Sequence, residues 1–191
     1  MIPGQHRLVC SILLLFITLM GGCENDPAGT QTMPSQLRGG RSPTEIITNA
    51  GVTILETATL PSFVTGQIIY VPVYSEIYNQ NAQTISQLTV TLSIRNTDLK
   101  QSIIIDTIDY YDASGQKIKS YLNQPIQLAP LASTAVVISQ LDQTGGIGAN
   151  FIVSWGSVES ANAPVIEAVM ISTASQQGLS FVSVGRVIAA R

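Results

Sequence analysis

Leu88 to Arg95, LTVTLSIR, alternates without a break: Leu88, Val90, Leu92 and Ile94 fall on one side, and Thr89, Thr91, Ser93 and Arg95 on the other. Period two is the pattern of a strand with one face in a core and one toward water, whereas a helix would scatter the same aliphatics around its circumference. Such a strand must find a second apolar layer. β-branched and aromatic runs at short intervals supply it: Val52 to Thr59, Gln67 to Tyr74, Ser102 to Tyr111, Lys117 to Leu122, Ile126 to Leu128, Thr134 to Leu141, Phe151 to Trp155, Val165 to Thr173 and Leu179 to Val187. Turn residues punctuate them, notably Asn96-Thr97-Asp98, Asp112-Ala113-Ser114-Gly115, Thr144-Gly145-Gly146 and Asn162-Ala163-Pro164. The gaps are too short for βαβ crossovers, which need a dozen or more residues. The spacing predicts an all-β fold, an antiparallel sandwich over residues 46–191.

Two segments precede that domain. Leu8 to Gly22 carries no charge but is shorter than the ~20 apolar residues that span a bilayer. With Arg7 before it and Gly21-Gly22 closing it, the stretch reads as a signal peptide over residues 1–22. Residues 23–45 are rich in Gly, Pro, Ser, Thr, Gln and Asn and lack apolar periodicity. They are expected to be a tether with a root-mean-square reach of roughly 25 Å.

Leu19-Met20-Gly21-Gly22-Cys23 resembles the lipobox of bacterial lipoprotein precursors, with Met20 where leucine is commoner. The resemblance implies that Cys23 carries a diacylglyceryl group and becomes the acylated mature amino terminus. Several acyl chains, at ~0.8 kcal/mol per buried methylene, would anchor the protein firmly where one holds only marginally. The implied location is extracytoplasmic, on a cell membrane or outer membrane. Glu24 is not the aspartate associated with inner-membrane retention, which leans toward the outer membrane. The partner implied is a membrane, through the N-terminal lipid.

Composition narrows the chemistry. Loss of residues 1–22 removes Cys10 and the only histidine, His6, and leaves Cys23 as a thioether. The mature chain then has no disulfide, no Ser-His-Asp or Cys-His nucleophile system and no zinc or copper site of the usual N/S type, so no metal and no cofactor is expected. A formal net charge of −3 without a basic cluster argues against a nucleic-acid partner.

Carboxylates remain. Asp106, Asp109 and Asp112 lie three apart, which on a regular strand turns Asp109 away from the other two unless a bulge intervenes. Asp106 with Asp112 as acid and base, or Asp98, Asp106 and Asp112 around calcium, compete with a plainer role as solvated turn and edge residues. Gly145-Gly146-Ile147-Gly148 lacks the Lys-Ser/Thr of a phosphate loop and is expected to be a turn. Trp155 shares a face with Phe151 and Val153 and is expected in the core.

SIRNTD, IIIDTIDYYDASGQKI and IQLAPLASTAVVI, within Leu88 to Ile138, resemble secreted immunoglobulin-like modules. YVPVYSEIY, LSIRNTD and FIVSWGS are similar to a domain-of-unknown-function family of bacterial, notably cyanobacterial, lipoproteins. The resemblance implies an immunoglobulin-like sandwich in a lipoprotein and supplies no activity. The expected function is a non-catalytic binding or structural module in the cell envelope; the alternative is a carboxylate-dependent hydrolase or lyase of envelope polymers.

One ligand-binding face is expected at Tyr70, Tyr74 and Tyr78. If the strand continues, these fall on one side with Pro72 and Glu76, opposite Val71, Val73 and Ile77. Pro72 cannot donate to a ladder, which places the strand at a sheet edge. The tyrosines would either engage an envelope protein or glycan or merely cover that edge.

Overall fold

The computed structural model describes residues 46–56, 60–173 and 178–191; Cys23, the signal peptide and the tether lie outside them. Two antiparallel sheets pack face to face. The first runs β1-β10-β6-β12-β13, formed by Ile46–Ile47, Ser133–Ile138, Thr89–Arg95, Val165–Ser172 and Leu179–Val184. The second runs β14-β3-β11-β7-β9-β2, formed by Arg186–Ala190, Thr65–Pro72, Asn150–Ser157, Ile103–Tyr111, Ile126–Leu128 and Val52–Ile54. β8, Lys117–Ser120, joins β7 beyond β9, and β4 (Glu76–Asn79) with β5 (Asn81–Gln87) forms a separate hairpin.

The alternation in β6 does what it predicts. Leu88, Val90, Leu92 and Ile94 are fully buried against Phe151, Val153 and Trp155 of the facing sheet's core side. Each such side chain contributes about 1.5–3 kcal/mol relative to exposure. Trp155 is in the core, as expected.

The antiparallel immunoglobulin-like sandwich is therefore formed, with one difference in its connections. In an immunoglobulin constant domain, strands B and E share one sheet and C and F the other. β6 and β10 pair as B and E, and β7 and β11 pair as C and F. The flanking strands have changed sheets: early β3 pairs with β11, and late β12 pairs with β6. Leu179 to Val187, which reads as one run, is two strands in different sheets. Gly185 makes the corner, its N–H donating to Ile166 O, where a Cβ would press on Ile69 and on the Ile166 carbonyl.

At one end of the sandwich Asn96-Thr97-Asp98 is more than a turn. The buried Asn96 amide donates to the carbonyls of Gln101, Leu128 and Ala129, and its oxygen accepts from the Asp98 N–H. The Thr97 hydroxyl donates to Ala163 O, and Asp98 accepts from the N–H groups of Lys100, Gln101 and Asn162. Three connections of the fold are thus tied at one point.

Candidate functional site

β3 does not continue as a strand through Tyr78. It ends at Pro72, and the chain bends through Ser75, which is fully buried. The Val73 N–H donates to Ala149 O, the Ser75 N–H and hydroxyl both donate to Gly146 O, and Leu88 N–H donates to Ser75 O. The three tyrosines consequently occupy three environments. Tyr70 lies between Ile152 of β11 and Arg186 of β14, on the outward side, since Ile69 and Val71 flank it in the core. Tyr74 is half-buried against the core, its ring edge-on to Phe181 at 5.9 Å. Tyr78 is on the β4–β5 hairpin and is 53% exposed. Val71 and Val73 are buried and Ile77 packs against the core, so the aliphatic side of the stretch is where its spacing puts it.

The edge position inferred from Pro72 is corrected. β3 has β11 on one side and β14 on the other. Pro72 is tolerated because the β14 ladder covers only Gln67 to Tyr70 and stops short of it.

The hairpin was not legible as such in the sequence. Its turn places Gln80 at φ 67, and Asn81 Oδ1 braces it by accepting from the N–H groups of Gln83 and Thr84 and from the Thr84 hydroxyl. Tyr78 stands opposite Ile85, 47% exposed, so the hairpin presents an aromatic–aliphatic cross-strand pair to solvent. Among the described residues β5 pairs with β4 alone.

A concave surface crosses the outer side of the first sheet. It is an open groove of about 660 Å³ lined by Ile47, Asn49, Arg95, Leu131, Ser133 and Val165, among others. Arg95 donates from Nε to Ser93 Oγ at 3.0 Å and sits 3.7 Å from Glu167, an exposed pair that holds the guanidinium against the sheet but adds little stability.

The four carboxylates are each engaged separately. A bulge does intervene in β7: Ser154 faces Thr107 but Trp155 faces Ile105, so Asp106 is the inserted residue. Asp106 meets Arg191 at 2.7 Å, and Arg191 also donates to Ser154 Oγ at 2.6 Å. Asp109 accepts from the Ser120 hydroxyl and lies 3.4 Å from Lys117. Asp112 Oδ1 closes the 112–115 turn by accepting from Ser114 N–H, Ser114 Oγ and Gln116 N–H, with Gly115 at φ 80. The Ser114 hydroxyl first, then the Gln116 amide, hold the Asp112 carboxyl below the usual carboxylate range; the Asn162, Gln101 and Lys100 amides do the same for Asp98. Among the described residues no group of three or more His, Cys, Asp or Glu could hold a metal ion.

Gly145 to Gly148 forms a turn closed by one short 3-10 segment, Gly146–Gly148, and leads straight into β11. A Cβ at Gly145 would overlap the Tyr110 hydroxyl. Tyr110 packs on Phe151 at 5.0 Å and Tyr121 on Phe151 at 5.9 Å. Burial pushes the Tyr110 phenol up to about 12 against the pull of the Ser75 hydroxyl, and burial raises Tyr121 as well, so neither is a base at neutral pH.

No curated protein matches the sequence. A solved structure described as "Crystal Structure of Thermotoga maritima 1070" is similar at 11% identity over 63% of this chain and 92% of its own, with a TM-score of 0.38, a likeness too slight to inform fold or function. Residues 66–188, which contain YVPVYSEIY, LSIRNTD and FIVSWGS, match the model of one family across more than half of the chain, and the chain belongs to that family, described as Protein of unknown function (DUF3124).

Proposed function

We propose that this protein is a lipid-anchored lipoprotein of the bacterial cell envelope whose sandwich is a non-catalytic binding module, and that the β4–β5 hairpin carries the contact. The observation that carries this is the solvent-facing pair Tyr78 and Ile85 on a hairpin that stands apart from both sheets. A large ring with a polar tip beside an aliphatic side chain suits a protein or glycan surface. The carboxylate-dependent hydrolase is less well supported. A general acid needs a raised pKa and a base facing it, whereas Asp98 and Asp112 are held low and Asp106 and Asp109 are occupied by Arg191 and by Ser120 with Lys117. The anchor rests on Leu19-Met20-Gly21-Gly22-Cys23 closing a leader too short to span.

Two measurements test the two halves. Intact-mass spectrometry of the membrane form is expected to show loss of residues 1–22 and added acyl mass, both abolished in Cys23→Ser; an unmodified Cys23 in processed protein refutes the anchor. Affinity capture from native membranes is expected to lose its partners or glycans in a Tyr78→Ala, Ile85→Ser variant whose circular dichroism is unchanged. Tyr74 is left intact because its packing on Phe181 would confuse folding with binding. Capture equal to wild type refutes the hairpin as the contact.

A further inference from the structure

Sheet edges expose unpaired N–H and C=O groups that recruit other strands, and proteins blunt them with brevity, lysines, prolines or bulges. The edges of the two stacked sheets follow that rule except at one place. β1 is two residues long and β2 is three. β8 carries Lys117 and Lys119, and β14 carries Arg186 and a register shift between Val187 and Ala189. β13, Leu179–Val184, has none of these devices. It is six residues long, pairs in unbroken register with β12, contains neither charge nor proline, and among the described residues has β12 as its single partner. The hairpin strand β5 is also uncharged, but its surface is mainly Asn81, Gln83 and Thr84, and its own ladder is broken by a register shift.

The outward side chains beside this open edge are mainly apolar: Val182 and Val184, 54% and 64% exposed, stand opposite Val169 and Glu167 of β12, and Ile171 of β12, 42% exposed, stands opposite Ser180.

We propose that β13 pairs antiparallel with β13 of a second copy of this chain about a two-fold axis, joining the two five-stranded sheets into one. A copy of itself is the occupant that the edge suits best. An antiparallel strand pair is self-complementary under a two-fold rotation, so each strand supplies the donors and acceptors the other lacks. The six residues carry no charge that would meet its like across the axis. Facing residues of an antiparallel pair project to the same side, so registers with Phe181 or Val182 near the axis bring the outward valines of both copies together into one stripe. This assembly does not rest on the hairpin contact, and either can fail alone.

The test is the mass of the full chain in detergent by sedimentation, with hydrogen exchange of the β13 amides. Wild type is expected to sediment as two copies with protected β13 edge amides. Val182→Lys puts two cations at the axis and is expected to give one copy with faster β13 exchange and an unchanged far-ultraviolet spectrum. Ser180→Lys replaces it if Val182→Lys does not fold. Wild type sedimenting as one copy at tens of micromolar overturns the proposal. So does a dimer that survives the lysine, or protection of β13 in a single copy, which would mean that another part of the same chain covers the edge.

Discussion

Gly115 offers an unusually clean separation of backbone strain from packing. Its φ of 80 lies in the left-handed region, and a Cβ built there has nothing within 4 Å. Replacing it therefore changes the local conformational energy and creates no collision. A β-branched residue held at such a φ costs on the order of 1–3 kcal/mol, and asparagine, which tolerates this region, costs much less. The turn cannot relax cheaply. Asp112 N–H donates to Gln116 O at 2.9 Å, Gly115 N–H donates to Asp112 O at 3.0 Å, and the Asp112 carboxylate holds the amides of Ser114 and Gln116. At about 2–4 °C per kcal/mol for a domain of this size, Gly115→Val is expected to lower Tm by about 2–12 °C, with Gly115→Asn losing under half of what valine loses. Differential scanning calorimetry at neutral pH measures both. If valine and asparagine lower Tm equally, or valine leaves it unchanged, left-handed strain is not what selects glycine here.

Gly145→Ala is the converse case, a collision without a positive φ: overlap with the Tyr110 hydroxyl is expected to cost about 1–3 kcal/mol, and adding Tyr110→Phe is expected to restore part of it in a denaturation double-mutant cycle, while strictly additive losses refute the contact. Acid stability follows from Asp98 and Asp112, whose carboxyls are held below the ordinary value of 3.8 by hydrogen bonds. The unfolded chain takes up these protons first as pH falls, so their contribution is complete above that value and is lost as pH drops through the folded-state values. Tm is expected to decline below about pH 4, and Asp98→Asn is expected to flatten the decline; an unaltered slope refutes the assignment.

Much of the fold was legible because its strands alternate. β6 announces its register, and Ile126–Leu128 coincides with β9 residue for residue. Gly115 follows from the Asp-x-x-Gly turn. The misses occur where long-range pairing overrides local pattern. Pro72 looks like an edge until β14, more than a hundred residues later, covers the neighbouring Gln67 to Tyr70. The bulge at Asp106 appears only as a change of phase, with Ile103 and Ile105 buried and then Ile108 and Tyr110. The β4–β5 hairpin hid because NQNAQTISQ is polar on both faces and its turn relies on Gln80, not glycine, at positive φ. For the same reason the tyrosine face divides. Tyr70, Tyr74 and Tyr78 line up only on a straight strand, and the buried Ser75 bends it.

The late crossing at Gly185 has a consequence for the order of events when the chain folds. Ile69, on the first long strand to leave a ribosome or a translocation pore, finds its ladder partners at Val153 and Val187. The β14 side of that strand cannot pair until nearly all of the domain has emerged. Pairing so distant in sequence makes folding slow, in the millisecond-to-second range typical of sandwiches, and keeps β3 and β12 raw until the final two strands arrive. A chain stalled just before Gly185 would hold a nearly complete core with β3 still open along Gln67 to Tyr70, so the waiting state, more than the finished one, is what a chaperone would have to guard.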